Sequence, residues 1–238
     1  ALGEFPKDEM LRRFKAQIAA WEQADPNTPV VPALHMVATV AQGDPGTSGK
    51  YRTITGDAKV NEVYGWAKEA GAIFIVDLQV GTDDVRNILP RFDWILKNPD
   101  VHLAVDPEFY MREGVKPGRK IGTMYASDIN YVSEHLAKLV REHYLPPKVL
   151  IIHRFTRPMV RDFQNIKLDP NVQVVMHMDG WGAPWLKFDS FKDYIIPDPV
   201  QYTGFKLFYK NDTKKGDKLL TAKELVQLKP KLMYIQYQ

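Results

Sequence analysis

The chain contains no cysteine, which removes disulfides, zinc-thiolate centres and a thiol nucleophile together. It has no apolar run approaching the roughly 18 residues of a membrane span, and Ala1-Leu2-Gly3-Glu4 lacks the charged-then-apolar order of a signal peptide. A cysteine-free chain of this size suits an extracytoplasmic or secreted protein, or a thermophilic one, slightly better than a cytosolic one, and an exported protein would be present here in its processed form. Nor is one charge in excess. The 32 basic residues are scattered among 29 acidic ones for a net charge of +3, so no basic stripe is available for nucleic acid. Repeats and low-complexity stretches are absent as well. What is there, 238 residues of which 45% are hydrophobic and 26% charged, can bury a full core as one domain spanning 1–238, a length ordinary for a single α/β barrel.

Apolar strand-like runs alternate with helix-like ones along the whole chain. The expected strands are Val31 to Thr39, Ala72 to Gln79, Val101 to Asp106, Ile121 to Tyr125, Lys148 to His153, Val172 to Asp179, Thr203 to Tyr209 and Lys231 to Tyr237. Most are continuously apolar, as parallel strands covered on both faces should be. Between them, Val60, Val63, Tyr64, Ala67 and Ala70 form one helical stripe, and Val132, Leu136, Leu139 and Val140 another. Thr82 before Asp83-Asp84, Ser127 before Asp128, and Thr221 with Glu224 are helix-start signals, and Gly71 is a stop. Eight β units separated by helices predict a (β/α)₈ barrel, with an N-terminal helix over about 8–22 covering the gap between first and last strands. A doubly wound open sheet is the alternative.

A barrel keeps its chemistry where its strands end. The expected strands deliver His35, Asp77 with Gln79, Asp106 with Glu108, Tyr125, His153 with Arg154, His177 with Asp179, Lys206, and Tyr234 with Gln236 there. Side chains two apart on a strand share a face, so Asp106 and Glu108 are expected to point the same way. Burying several carboxylates costs several kcal/mol each unless they are paired or hydrogen-bonded, so a fold that gathers Asp77, Asp106, Glu108 and Asp179 has a use for some of them.

That use is expected to be glycoside hydrolysis, which needs a carboxyl group with a raised pKa as general acid and a second carboxylate beside it. Glu108 is the expected acid and Asp106 its orienting partner, with Asp77 and Asp179 the candidates for the second carboxylate. Trp181, in Asp179-Gly180-Trp181-Gly182-Ala183-Pro184-Trp185, offers a flat face for a sugar ring, and Tyr110 and Tyr125 are similar candidates. His35, His153, Arg154, Lys206 and Gln236 are expected to position a carbohydrate substrate. The strand ending in D-x-E (Asp106, Glu108), the turn Leu145-Pro146-Pro147-Lys148 and the final strand Tyr234-Ile235-Gln236-Tyr237 together resemble the small glycoside-hydrolase barrels of the lysozyme type that cleave peptidoglycan. The resemblance implies Glu108 as acid and Asp106 as its aspartate. The chain departs from that family at the end of strand one, where His35 stands in place of an aspartate. The overall pattern also resembles exported bacterial barrel proteins without an assigned activity.

Two other readings use the same residues. A metal-dependent hydrolase or isomerase would draw ligands from His35, Asp77, Asp106, Glu108, His153, His177 and Asp179, although no H-x-H lies on the first strand and no H-E-x-x-H lies anywhere. A non-catalytic carbohydrate-binding barrel would use the same cleft without turnover. Lys206 could also serve as a Schiff-base lysine if buried. Cofactor fingerprints are missing. Gly43 to Lys50 only mimics a phosphate loop, because Asp44 stands where its first glycine belongs and Tyr51 where its Ser or Thr does. G-x-G-x-x-G and G-x-S-x-G are absent. The glycosidase reading needs neither cofactor nor metal, whereas the metal-dependent alternative would.

Overall fold

A strand made almost wholly of Val, Ile, Leu, Phe and Ala is stable only when both faces are covered. The computed structural model, which describes residues 2–112 and 114–238, covers them unequally. Its strands are β1 (Ala33–Ala41), β2 (Arg52–Ile54), β3 (Ile73–Leu78), β4 (Val101–Val105), β5 (Met124–Tyr125), β6 (Lys148–Arg154), β7 (Val160–Arg161), β8 (Val172–Met178), β9 (Tyr202–Leu207) and β10 (Leu232–Tyr237). Its α-helices are α1 (Lys7–Ala24), α2 (Asp57–Glu69), α3 (Val85–Ile88), α4 (Asp93–Leu96), α5 (Ala126–His143), α6 (Pro184–Tyr194) and α7 (Ala222–Leu225). Among the described residues no helix is long and apolar enough to cross a membrane.

Eight strands form one sheet in the order β10-β9-β8-β6-β4-β3-β1-β2, parallel throughout except where β2 runs antiparallel to β1. The predicted (β/α)₈ barrel is not formed, because the sheet is open. Seven of the eight expected strands lie in it. The other, Ile121 to Tyr125, is reduced to β5, which pairs with β7 in a separate ribbon. The cause is local. Gly122 donates its N–H to the Glu108 carbonyl at 2.6 Å and Thr123 donates to the Tyr110 carbonyl at 3.2 Å, so this segment braces the loop after β4, and β4 pairs directly with β6. With one strand fewer, β1 and β10 share no backbone pairing, and Thr39 to Ala41 of β1 pair with β2 instead. The alternative of a doubly wound sheet is not adopted either: from β1 to β10 the parallel strands are laid down in one direction, without a switch point.

The open sheet is nonetheless strongly curled. In a flat sheet β1 and β10, six spacings apart, would be separated by about 29 Å, yet His35 Nδ1 on β1 lies 2.8 Å from the Tyr234 hydroxyl on β10. The convex face carries the main core, where Phe74, Val76, Leu103, Val105, Leu150, Ile152, Val174, Met176 and Phe205 meet the helices. The α2 stripe (Val60, Val63, Tyr64, Ala67) is buried as its 3.6-residue period requires, each large apolar side chain contributing roughly 1.5–3 kcal/mol. The concave face holds a much smaller apolar cluster, Ile75, Ala104, Ile151 and Val175, flanked by Ala33, Val149, Tyr202 and Tyr234. Helix α1 reaches the unpaired edge: Trp21 Nε1 donates to the Tyr237 hydroxyl of β10 at 3.0 Å, and Lys7 pairs with Glu69 of α2.

Candidate active site on the concave face

Strand alternation builds the site. Two positions on from the apolar residues Ala33, Ile75, Ala104, Ile151, Val175 and Tyr234 stand His35, Asp77, Asp106, His153, His177 and Gln236, all on the same concave face. Asp179 and Lys206 continue the rows of β8 and β9. A polar layer thus rests on an apolar floor toward the C-terminal ends of the parallel strands, except that His35, expected at the end of its strand, is the third of nine residues in β1, which runs on to Ala41.

The layer is a connected set of contacts. Asp77 Oδ2 lies 2.9 Å from His35 Nε2 and 3.1 Å from His153 Nε2. On its other side His153 Nδ1 lies 2.9 Å from Asp179 Oδ2, at ion-pair distance but bent away from good hydrogen-bond geometry. Asp179 Oδ1 lies 2.9 Å from Lys206 Nζ. His177 Nε2 lies 3.1 Å from Gln236 Oε1, and its ring packs edge-on against His153 and Tyr234. All of these side chains are buried or nearly so, which explains the cost the strands would otherwise bear: charge is matched inside the layer.

Burial opposes charge at each group, and neighbours decide the result. Burial pulls His153 down, but Asp77 and Asp179 push it up to about 10, so it is an imidazolium. Burial pushes Asp77 up, but His153 and His35 hold it below the usual carboxylate range. Asp179 is likewise lowered against burial, by Lys206 and His153, and Lys206 is raised against burial by Asp179. His35 and His177 are lowered, chiefly through burial.

Asp106 behaves oppositely. Burial, with Asp179 and Asp77 repelling a further negative charge, outweighs the pull of His153 and raises it to about 7. Its Oδ1 accepts the backbone N–H of Glu108 at 3.1 Å and its Oδ2 accepts Gln79 Nε2 at 3.1 Å. The expected shared strand face of Asp106 and Glu108 is not observed. The strand stops at Val105 and Pro107 opens a 3-10 turn over Pro107–Phe109, which Asp106 caps. Glu108 therefore rides on that turn, half-buried, with its carboxyl in no hydrogen bond or ion pair with another described side chain; burial and the charge of Asp179 raise its pKa. Gly122 lets the bracing segment approach: a Cβ there would sit 2.5 Å from the Pro107 carbonyl oxygen and 2.7 Å from that of Glu108.

The structure gathers His35, Asp77, Asp106, His153, Asp179, Lys206 and Gln236 on one face, with Glu108 on the turn beside them. Three other expected residues lie elsewhere. Arg154, the next residue along β6, points to the convex side, where Nη2 pairs with Asp198 at 2.6 Å. Tyr110 is buried in the core, its hydroxyl accepting the Val85 N–H, and Tyr125 is exposed under the Arg112 guanidinium. Trp181, 54% exposed, follows Asp179, and Trp185 at the start of α6 is 65% exposed; neither packs under a helix. Sequence reasoning missed the contact of Tyr234 with His35, the bond of Gln79 to Asp106, and Gly204. A Cβ on Gly204 would sit 2.4 Å from His177 Nδ1, so the glycine makes room for that ring. A lone glycine inside an apolar strand is the signal that could have found it.

No known family's sequence profile matches the chain, and no curated protein does. Among solved structures, a hyperthermophilic endo-beta-1,4-glucanase in complex with substrate aligns with 74% of this chain at a TM-score of 0.36 and 11% identity. The chain spans about half of that protein, 54% of its length, and the likeness is too slight to assign either a fold family or an activity.

Proposed function

We propose that the chain hydrolyses glycosidic bonds at the concave face, with Glu108 as the general acid. The observation that carries this reading is the placement of Glu108 on the turn that Asp106 caps, beside the polar layer that holds Asp179, where burial and the charge of Asp179 raise the pKa of both carboxyl groups. In this scheme Glu108 gives its proton to the leaving glycosidic oxygen as the bond to the anomeric carbon breaks. Asp179 supplies negative charge toward the cation-like centre, and water completes the hydrolysis and returns a proton to Glu108. Asp106 holds the turn that carries Glu108 and, in its protonated form, can donate to a polar group of the sugar. A substrate bearing an N-acetyl group, as in peptidoglycan or chitin, would use that donor. The exposed faces of Trp181 and Trp185 support a sugar ligand.

The test is cleavage of a glycan panel, including peptidoglycan and chitin oligomers, by the wild-type protein and by Glu108→Gln. Turnover is expected in the wild type and should fall by about 10²–10⁴-fold in the variant, with glycan binding and circular dichroism retained. Equal turnover by the two proteins would reject Glu108 as the acid. Binding without turnover by the wild type would make the chain a carbohydrate-binding protein.

A further inference from the structure

We propose that His35, Asp77 and His153 form a binding site for one divalent transition-metal ion of the zinc or cobalt type, ligated by the two histidine Nε2 atoms and an Asp77 carboxylate oxygen. On binding, the ion displaces to solvent the Nε2 proton that the His153 imidazolium carries in its absence. The ligand atoms of these three residues all lie within 4.8 Å of one another. Asp77 Oδ2 stands 2.9 Å and 3.1 Å from the two Nε2 atoms, spacing that a cation with metal–ligand distances of about 2.0–2.2 Å can bridge with small adjustments.

Both histidines have a partner behind them, as metal ligands characteristically do. A ligating histidine usually gives its other ring N–H to a carboxylate or another acceptor. Here His153 Nδ1 lies 2.9 Å from Asp179 Oδ2, and His35 Nδ1 lies 2.8 Å from the Tyr234 hydroxyl. Three different strands and a fourth from the far edge of the sheet thus converge to aim two Nε2 atoms at one carboxylate. A further observation points to a missing partner: Asp77 Oδ1 is fully buried and takes no hydrogen bond. An unpartnered carboxylate oxygen at such a site is costly, and a bound cation would satisfy it. The ligand set, two imidazoles and one carboxylate with no thiolate, has the composition that zinc accepts, and three protein ligands leave a coordination position open.

The inference does not rest on the glycosidase reading, since metal uptake is measured without substrate. The protein is stripped with a chelator, and Zn²⁺ and Co²⁺ are titrated in, followed by calorimetry and, for Co²⁺, by visible absorption. One equivalent per chain is expected, with the intensified absorption of cobalt in a low-coordinate nitrogen and oxygen site. His35→Gln and Asp77→Asn should weaken binding by at least about tenfold, and Tyr234→Phe by about 10- to 100-fold. His135→Gln, which alters the histidine-aspartate pair with Asp93 on another part of the surface, should leave uptake unchanged. No uptake by the wild type, or uptake that survives both His35→Gln and Asp77→Asn, would overturn the proposal. Should those variants fail to fold, the wild-type cobalt spectrum decides, the weak bands of hydrated cobalt alone counting against the site. Glu108→Gln is expected to lose glycan cleavage yet keep the metal, so the two readings fail separately.

Discussion

Asp106 is the residue at which sequence and environment most directly meet. Its raised pKa, from 3.8 to about 7, means that folding favours the protonated form. The contribution to stability is therefore complete below the unfolded value and is lost as the pH rises through about 7. Asp106→Asn, which imitates the neutral acid, should gain stability relative to wild type between about pH 5 and pH 8, as measured by urea denaturation at each pH. Parallel stability curves for the two proteins would show that Asp106 does not titrate there. The D-x-E pair itself was visible in the sequence, because two carboxylates at the end of an apolar strand are expensive. Their relative orientation was not, because it depends on where the pleat stops. Pro107 ends it one residue earlier than a straight reading of the strand assumes.

At the scale of elements, the segment from Ile121 to Tyr125 decides more than its length suggests. It reads as a strand from Ile121, Met124 and Tyr125, but Gly122 and Thr123 are committed to the loop after β4. Gly122→Ala should push that loop away from its brace and cost about 1–3 kcal/mol. The checks are thermal denaturation and, if the glycosidase reading holds, glycan turnover, which should drop because the moved loop carries Glu108. An alanine variant with unchanged stability would mean that the close approach is not needed. The helical stripes were legible because their 3.6-residue period survives into the structure: Val60, Val63, Tyr64 and Ala67 are all buried, and so are Val132, Leu136, Leu139 and Val140. The Thr221 and Glu224 capping box is formed as the sequence reading expects. Such features are local, with cause and consequence a few residues apart.

At the scale of the whole molecule, the sheet curls far enough for β1 and β10 to touch through side chains yet does not close through backbone bonds. Its last strand, β10, is left only partly covered, and the Trp21 to Tyr237 bond from α1 is one of the few ties across that edge. Tyr237→Phe should cost about 0.5–1.5 kcal/mol and should raise amide exchange most in β10, since edge strands open before central ones. Uniform protection across β9 and β10 in the variant would show that α1 does not secure the edge.

The apolar runs, the helical periods and the order of polar residues along the strands are properties of the chain alone. They determined that a largely parallel sheet would form, and that His35, Asp77, Asp106, His153, Asp179, Lys206 and Gln236 would share one face, because alternation by two is built into an extended backbone. Only the tertiary structure decided the rest. Closure depends on strand count and curvature, which one diverted segment changes. That Arg154 leaves the site while Tyr234 enters it depends on which neighbours each meets on its own face. Which carboxylates are ionised depends on distances between strands that are remote in sequence. Charge and packing act through space, and those distances exist only once the sheet has curled.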